Sequence, residues 1–203
     1  MCAVEKPDVH HAYLLAGRFS KAAVVIVEGA RGAFALGDSA RPSSLLPVLI
    51  KDRGRLYCFF GTPTGSMDMD MVNPYVTNAA FSLELYLKVL LYVEQGRWIG
   101  GHQLNGLFAG LTKQSKAAIR TRFNSLIADN PGYAPIRSHI RSETTMKKFE
   151  WDLDVLLGNS SNAFVDFRYA FDNGVGWFAG FWELKEALIS RIVELRPEMD
   201  GSA

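Results

Sequence analysis

The chain has 203 residues, of which 48% are apolar and 21% are charged, and its formal net charge is +1. This composition excludes wholesale disorder and provides enough apolar residues for a sizeable core. The two cysteines, Cys2 and Cys58, are too few for a disulfide framework or a four-cysteine metal site. The N-terminal residues lack the pattern of a signal peptide, and the early apolar run is too short to span a bilayer, so we expect a cytoplasmic protein that makes no use of a membrane.

The first part of the chain predicts one helix and one β-hairpin. Apolar residues recur at helical spacing over residues 8–29, and a glycine closes the segment. After a loop rich in Gly, Ala, Ser and Pro, two β-prone runs flank the triplet Asp52-Arg53-Gly54. A glycine turn between two apolar runs is typical of a β-hairpin, which we predict at residues 46–61.

The longest predicted helix is NPYVTNAAFSLELYLKVLLYVEQG, in which Asn73 can cap the start and Gly96 can end the helix. Most of its residues are apolar, and the polar ones lie close to a single line along the helix. This pattern predicts the central helix of a bundle. Glu84 and Lys88 lie four residues apart on the polar line, in the order that favours a salt bridge, and we predict a structural ion pair between them.

The rest of the chain consists of shorter amphipathic segments. We predict helices in most of them, whereas residues 131–145, which begin within the turn signal Asn130-Pro131-Gly132, are predicted to form a loop. The predicted fold is all-α, a bundle of about six or seven helices with a small β-hairpin insertion. It forms a single domain over residues 1–203, with a helical core at 72–195 and the N-terminal helix added to it.

Charge is unevenly distributed along the chain. Residues 113–148 contain eight Lys and Arg against two acids, whereas residues 149–203 contain four against ten. Either these are two solvated faces that attract each other across the fold, or the basic strip binds phosphates. For the second hypothesis the candidate RNA-binding residues are Arg137, His139 and Arg141, in the predicted loop. His102, where a helix begins, is interpreted as a local hydrogen-bonding group.

Arg168 is an arginine in the middle of an otherwise core-like helix, AFVDFRYAFDNG. Asp172 follows four residues later, so one interpretation is a structural Arg–Asp pair on the rim of the helix. The other is that Arg168 faces a cleft and binds a phosphate, for which its planar fork of donors is suited. We find no spacing of His and Cys residues that indicates a metal site, and no glycine-rich phosphate loop.

Three stretches together resemble HEPN domains, the higher eukaryotes and prokaryotes nucleotide-binding superfamily. NAAFSLELYLKVLLYVEQG is similar to the central helix of that family, GHQLNGLF to the motif that follows it, and AFVDFRYAFDN to its late helix. The resemblance covers about residues 72–195. It implies a helical bundle that forms a homodimer and that, in many members, acts as a metal-independent endoribonuclease in toxin–antitoxin or phage-defence systems.

The resemblance also implies a catalytic arginine followed four to six residues later by histidine. Arg168 matches the arginine. The histidine position falls at Asn173, or at Gly174 or Val175 for longer spacings, and none of these is histidine. We therefore expect Arg168, Asp172 and Asn173 to form the site, without a cofactor or a metal ion. The expected partners are RNA and a cognate antitoxin or the product of a neighbouring gene. The alternative is a non-catalytic module that binds RNA, a nucleotide or a partner protein.

Overall fold

Seven α-helices make up most of the described part of the chain in this computed structural model, and the prediction of a mostly helical protein is confirmed. The structure describes residues 8–30, 48–52, 55–59, 69–161 and 177–200. The helices are α1 (Val9–Ala30), α2 (Met69–Gln95), α3 (Leu104–Ala109), α4 (Lys113–Ala128), α5 (Tyr133–Glu143), α6 (Leu153–Asn159) and α7 (Phe181–Leu195), followed by a 3₁₀ turn at Pro197–Met199.

Helix α2 lies at the centre of the bundle, as its apolar sequence predicted. Every residue from Ser82 to Leu91 is buried, and the helix packs against α1, α3 and α7. The hydroxyl of Ser82 donates a hydrogen bond of 2.9 Å to the carbonyl oxygen of Ala16 in α1. The rings of Tyr13 and Tyr86 meet edge to face, with their centroids 5.6 Å apart, so α1 and α2 are joined by both polar and aromatic contacts.

The part of α2 from Asn73 to Gln95 is, among the described helices, the one that is long and apolar enough to cross a membrane. In the bundle, 72% of its most apolar window is buried against other parts of the protein. A helix that is apolar on nearly all sides is expected at the centre of a soluble bundle, where neighbouring helices cover it.

The start of α2 differs from the predicted one, whereas its end lies where the sequence predicted. The helix begins at Met69, one turn before the predicted cap Asn73, so Pro74 lies inside the helix rather than at its first position. At the other end, the N–H of Gly96 donates to the carbonyl of Tyr92 at 2.8 Å. Gly96 has a φ of 69°, a left-handed conformation that glycine adopts at little cost and that ends the helix where the sequence predicted.

Helices α4 and α7 pack against each other and run in opposite directions. Near the end of α7, the buried Arg191 donates from Nε to the hydroxyl of Ser115 in the first turn of α4 at 2.7 Å. Near the start of α7, Gly180 has a φ of 65°, and a Cβ atom there would lie 3.1 Å from the ring of Phe123 in α4. A glycine is needed at this position both for its backbone conformation and for its small size.

Helix α5 occupies the segment 131–145 that we expected to form a loop, and that expectation is wrong. Pro135 lies in the first turn of α5, where its missing N–H would have had no partner within the helix. Tyr133, Ile136 and Ile140 form one buried stripe at helical spacing. Burial of this stripe stabilises the helix, although the turn residues that precede it indicated a loop in the sequence.

A small antiparallel sheet accompanies the helices. Strand β1 (Val48–Asp52) pairs with β2 (Arg55–Phe59), with Val48 opposite Phe59 and Asp52 opposite Arg55. A third strand, β3 (Trp177–Phe178), pairs with the other edge of β1 and was not predicted. A strand of two residues is too short to show the alternating pattern by which strands are recognised in a sequence. Pairing with β1 supplies most of its stabilisation.

Candidate functional site

Helix α2 carries a buried ion pair at the positions that the sequence singled out. Nζ of Lys88 lies 2.7 Å from Oε1 of Glu84, and the two side chains are 9% and 1% exposed. A carboxylate buried this deeply is costly unless other groups fill its acceptor sites. The hydrogen-bond donors around Glu84 therefore determine whether its carboxylate can stay buried inside an apolar bundle.

A histidine from the connection after α2 also contacts Glu84. Nδ1 of His102 lies 3.0 Å from Oε1 and 3.1 Å from Oε2 of the Glu84 carboxylate. Because a carboxylate only accepts hydrogen bonds, we assign the proton of this contact to Nδ1. The His102 side chain is 56% exposed. We call Glu84, Lys88 and His102 the α2 polar cluster; it extends from a buried carboxylate to a ring that solvent reaches.

Two glycines allow His102 to approach Glu84, from which it is separated by 18 positions in the chain. Gly96 and Gly101 have φ values of 69° and 97°, which residues other than glycine rarely adopt. They redirect the chain so that α3 packs against α2. The contact with Glu84 was not predicted from the sequence. Its signal there was the pair Gly96 and Gly101, which lies in the short connection between α2 and α3.

The first turn of α3 is hydrogen-bonded to Ser161, the last described residue before the part of the chain that contains Arg168. The N–H of Leu104 donates to the carbonyl of Ser161 at 3.1 Å, and the hydroxyl of Ser161 donates to Oδ1 of Asn105. Leu104 and Ser161 are both buried. Since Leu104 comes two positions after His102, Ser161 lies close in the fold to the chain segment that carries this histidine.

The three predicted catalytic residues, Arg168, Asp172 and Asn173, lie in residues 162–176, outside the described residues. Their roles stay predictions. The structure bears on them only through Ser161, the last described residue before this segment, which is held against α3.

The predicted RNA-binding residues lie on helix α5. Nη1 of Arg137 lies 3.1 Å from Oε2 of Glu150, and Nη2 of Arg141 donates to Oε1 of the same carboxylate. Arg141 also donates to the carbonyl of Phe149 at 2.9 Å. His139 is displaced from Arg137 by roughly 200° around the helix. The structure thus brings the two arginines together and separates His139 from them.

Contacts with acidic residues reduce the charge that the basic strip offers to a phosphate. Arg120 on α4 donates two hydrogen bonds, of 2.8 and 3.0 Å, to the carboxylate of Asp154 on α6. Together with the two arginines at Glu150, three of the eight cations of the strip are paired with acids from the acidic part of the chain. These pairs are partly exposed, so each contributes little to stability. They support the hypothesis of two faces that attract each other.

A second buried carboxylate lies near the start of α7. Glu183 is 3% exposed, and burial raises the pKa of its carboxyl group, whereas hydrogen bonds with Tyr133 and Asn130 act to lower it. Among the described residues, Oε2 of Glu183 has no hydrogen-bond partner. Folding therefore disfavours the charged form of Glu183 relative to the protonated form.

Replacing Glu183 with Gln is expected to raise the melting temperature at about pH 7 and to change it little below the ordinary pKa of glutamate, about 4.3. The raised pKa means that the favourable contribution of the protonated group is present at low pH and is lost as the pH rises through the folded-state pKa. Gln keeps an acceptor for Tyr133 without the charge. Thermal unfolding of both proteins across this pH range measures the effect, and an advantage of the variant that grows as the pH falls would contradict it.

Among the described residues, no group of three or more His, Cys, Asp and Glu side chains could hold a metal ion. Comparisons of the chain with protein-family models, with curated proteins and with solved structures find no match. The α2 polar cluster is therefore interpreted from its own geometry and from the resemblance of the sequence motifs to HEPN domains.

Proposed function

We propose that the protein is a HEPN-like endoribonuclease that works without a metal ion and uses His102 as its general base. The observation that carries this proposal is the contact of 3.0 Å between Nδ1 of His102 and the buried Glu84 carboxylate. A carboxylate in this position holds the imidazole in one tautomer and stabilises the imidazolium that forms when the ring takes up a proton. The exposed fraction of the side chain, 56%, lets a substrate reach the ring.

In the proposed reaction, Nε2 of His102 removes the proton of a ribose 2′-hydroxyl, and the 2′-oxygen attacks the adjacent phosphorus. The bond from phosphorus to the 5′-oxygen breaks, and that oxygen takes a proton from water. The products are a 2′,3′-cyclic phosphate and a 5′-hydroxyl end. Lys88, 2.7 Å from Glu84, keeps the carboxylate compensated inside the bundle while the histidine gains and loses its proton.

Residues of the segment 162–176 complete the proposed site. Arg168 binds the phosphate through its guanidinium group, Asp172 orients Arg168, and Asn173 donates a hydrogen bond to the ribose or the phosphate. The bond between Leu104 and Ser161 supports this arrangement because it holds Ser161, the last described residue before the segment, beside the chain that carries His102. We place the site in the cleft of a cytoplasmic homodimer of the toxin–antitoxin or phage-defence type, with a cognate antitoxin or neighbouring-gene protein as its partner.

The second candidate is a non-catalytic HEPN-like module that binds RNA, a nucleotide or a partner protein. The specific observation in its favour is Asn173, at the position where the resemblance implies histidine. Within this candidate, the pairing of Arg137 and Arg141 with the single carboxylate of Glu150 lowers the charge available for RNA on α5 and so favours a partner protein over RNA. This candidate predicts a stable complex and no turnover.

A cleavage assay in the presence of EDTA separates the two candidates. We expect the purified protein to cleave a mixed pool of single-stranded RNA and to leave cyclic phosphate ends. Arg168→Ala is expected to slow cleavage about tenfold or more, because it removes charge-assisted hydrogen bonds to the phosphate.

Arg122→Ala is the matched control, since it removes an exposed arginine of α4. Equal rates for Arg168→Ala and the wild type would exclude Arg168 from the site. An intact RNA pool after incubation with the wild type, together with a stable RNA or protein complex, would favour the non-catalytic module.

A further inference from the structure

Asn105 and Gly106, in the first turn of α3, form an Asn-Gly pair that is exposed to solvent. Asn is one of the chemically labile residues, because the backbone nitrogen of the next residue can attack its side-chain amide. Glycine obstructs this attack least, since it has no Cβ atom and its backbone rotates freely. A Cβ atom at Gly106 would lie no closer than 3.7 Å to Gln103, so the space around the attacking nitrogen is open.

The N–H of Gly106 donates to a side chain rather than to a carbonyl of the helix. N–H groups in the first turn have no carbonyl partner within the helix, and this one donates to Oδ1 of Asn105 at 2.7 Å. Because a carbonyl carbon lies about 1.2 Å from its oxygen, the nitrogen is held within about 4 Å of Cγ. Reacting atoms in a near-attack arrangement are roughly 3–3.5 Å apart. A small rotation of the Asn105 side chain brings the nitrogen to that distance.

A second donor is directed at the same oxygen of Asn105. The hydroxyl of Ser161, a buried residue, donates to Oδ1. When a nucleophile adds to the amide carbon, negative charge develops on this oxygen, and a fixed donor stabilises it as the donors of an oxyanion hole do. The fold therefore places both a nucleophile and a donor for the developing charge at one amide group.

We propose that Asn105 is a site of spontaneous covalent modification, in which its side chain cyclises onto the backbone of Gly106. The nitrogen of Gly106 bonds to Cγ of Asn105, and the proton of this nitrogen passes to a hydroxide ion of the solvent. The bond from Cγ to Nδ2 breaks, and the amide nitrogen takes a proton from water and leaves as ammonia. Water then opens the succinimide ring at either carbonyl carbon, so the products are aspartate and isoaspartate. The reaction needs only water and is independent of the proposed ribonuclease activity.

The two products differ in their effect on the contact with Ser161. Aspartate keeps a carboxylate oxygen in the place of Oδ1 and still accepts from the hydroxyl. In isoaspartate the backbone runs through Cβ and Cγ, which lengthens the chain by one carbon atom inside a helix of six residues. The remaining carboxylate is attached directly to Cα and lies away from the hydroxyl. The isoaspartate form therefore loses the side-chain hydrogen bond between α3 and Ser161.

The test is incubation of the full chain for days at mildly alkaline pH, followed by trypsin digestion and mass spectrometry. Residues 98–113 form one tryptic peptide, in which Asn105 is the only Asn, and the other Asn-Gly pair of the chain lies in a different peptide, residues 169–185. Conversion raises the mass of the first peptide by about 1 Da. The internal control is Asn124, an exposed Asn in the middle of α4, where the following N–H belongs to the helical hydrogen bonds. We expect Asn105 to convert about tenfold or more faster than Asn124.

Two variants test the geometry, and circular dichroism checks that each of them is folded. Gly106→Ala introduces a residue that favours helices, and its Cβ atom hinders the approach of the nitrogen. Ser161→Ala removes the donor to Oδ1. Each variant is expected to slow the conversion of Asn105 about tenfold or more and to leave that of Asn124 unchanged. Equal rates at Asn105 and Asn124 in the wild type, or a wild-type rate at Asn105 in either folded variant, would overturn the proposal.

Discussion

Replacing Glu84 with Leu is expected to lower the free energy of unfolding by about 3–5 kcal/mol, the usual cost of removing one partner of a buried ion pair. The substitution leaves the ammonium group of Lys88, on a side chain that is 9% exposed, without the carboxylate that lies 2.7 Å from it. It also removes the group that His102 contacts. Urea unfolding followed by circular dichroism measures the change, with the slope of the transition as a check that the unfolding mechanism is unaltered.

The double variant Glu84→Leu/Lys88→Leu is the control for this prediction. It removes both charges and replaces them with apolar groups in an apolar environment, so we expect it to recover most of the stability that the single variant loses. A double variant that is less stable than Glu84→Leu would show that the two charges do not depend on each other. The prediction for the single variant would then lose its physical basis.

Replacing His102 with Ala is expected to slow RNA cleavage by about 10²–10⁴-fold, the usual contribution of a general base. The substitution also removes the contact of Nδ1 with the buried Glu84 carboxylate, so we expect a lower melting temperature, and the rates are compared at a temperature at which both proteins are folded. A large loss of rate in the folded variant separates a catalytic from a structural role. Initial rates on a fluorescent single-stranded RNA, with EDTA present, provide the measurement.

His10→Ala provides a matched comparison within the same chain. His10 is also an exposed histidine, but it lies on α1, outside the α2 polar cluster and outside the candidate RNA-binding residues. We expect this variant to cleave RNA at the wild-type rate. If both histidine variants cleaved as fast as the wild type, the assignment of His102 as the base would be refuted, while the structural role of Glu84 and Lys88 would be unaffected.

Long helices with a clear apolar pattern were predictable from the sequence. The segment that forms α1 carries apolar residues at helical spacing, and the segment that forms α2 is long and apolar on nearly all sides. Gly96 ends α2 through a backbone conformation that few other residues adopt. The pair formed by Glu84 and Lys88 was also predictable from local sequence. Their spacing of four positions brings side chains together on any helix, whatever its tertiary environment.

Short elements were not predictable in the same way. Helix α5 has 11 residues and begins just after Asn-Pro-Gly, so the local signals indicated a turn, and it took burial of Tyr133, Ile136 and Ile140 to outweigh them. Strand β3 has two residues and forms through pairing with β1, far away in the chain. In both elements the stabilising contacts are supplied by other parts of the fold, which a local pattern does not contain.

The sequence by itself determined the helical class, the central position of α2 and the ion pair between Glu84 and Lys88, because each depends on residues within a few turns of one helix. Only the tertiary structure decided that His102 contacts Glu84, that Arg137 and Arg141 share Glu150, and that Ser161 donates to Asn105. These arrangements join residues from different elements. Their distances follow from how the helices pack and where the connections turn, and packing depends on the summed burial of side chains along the whole chain.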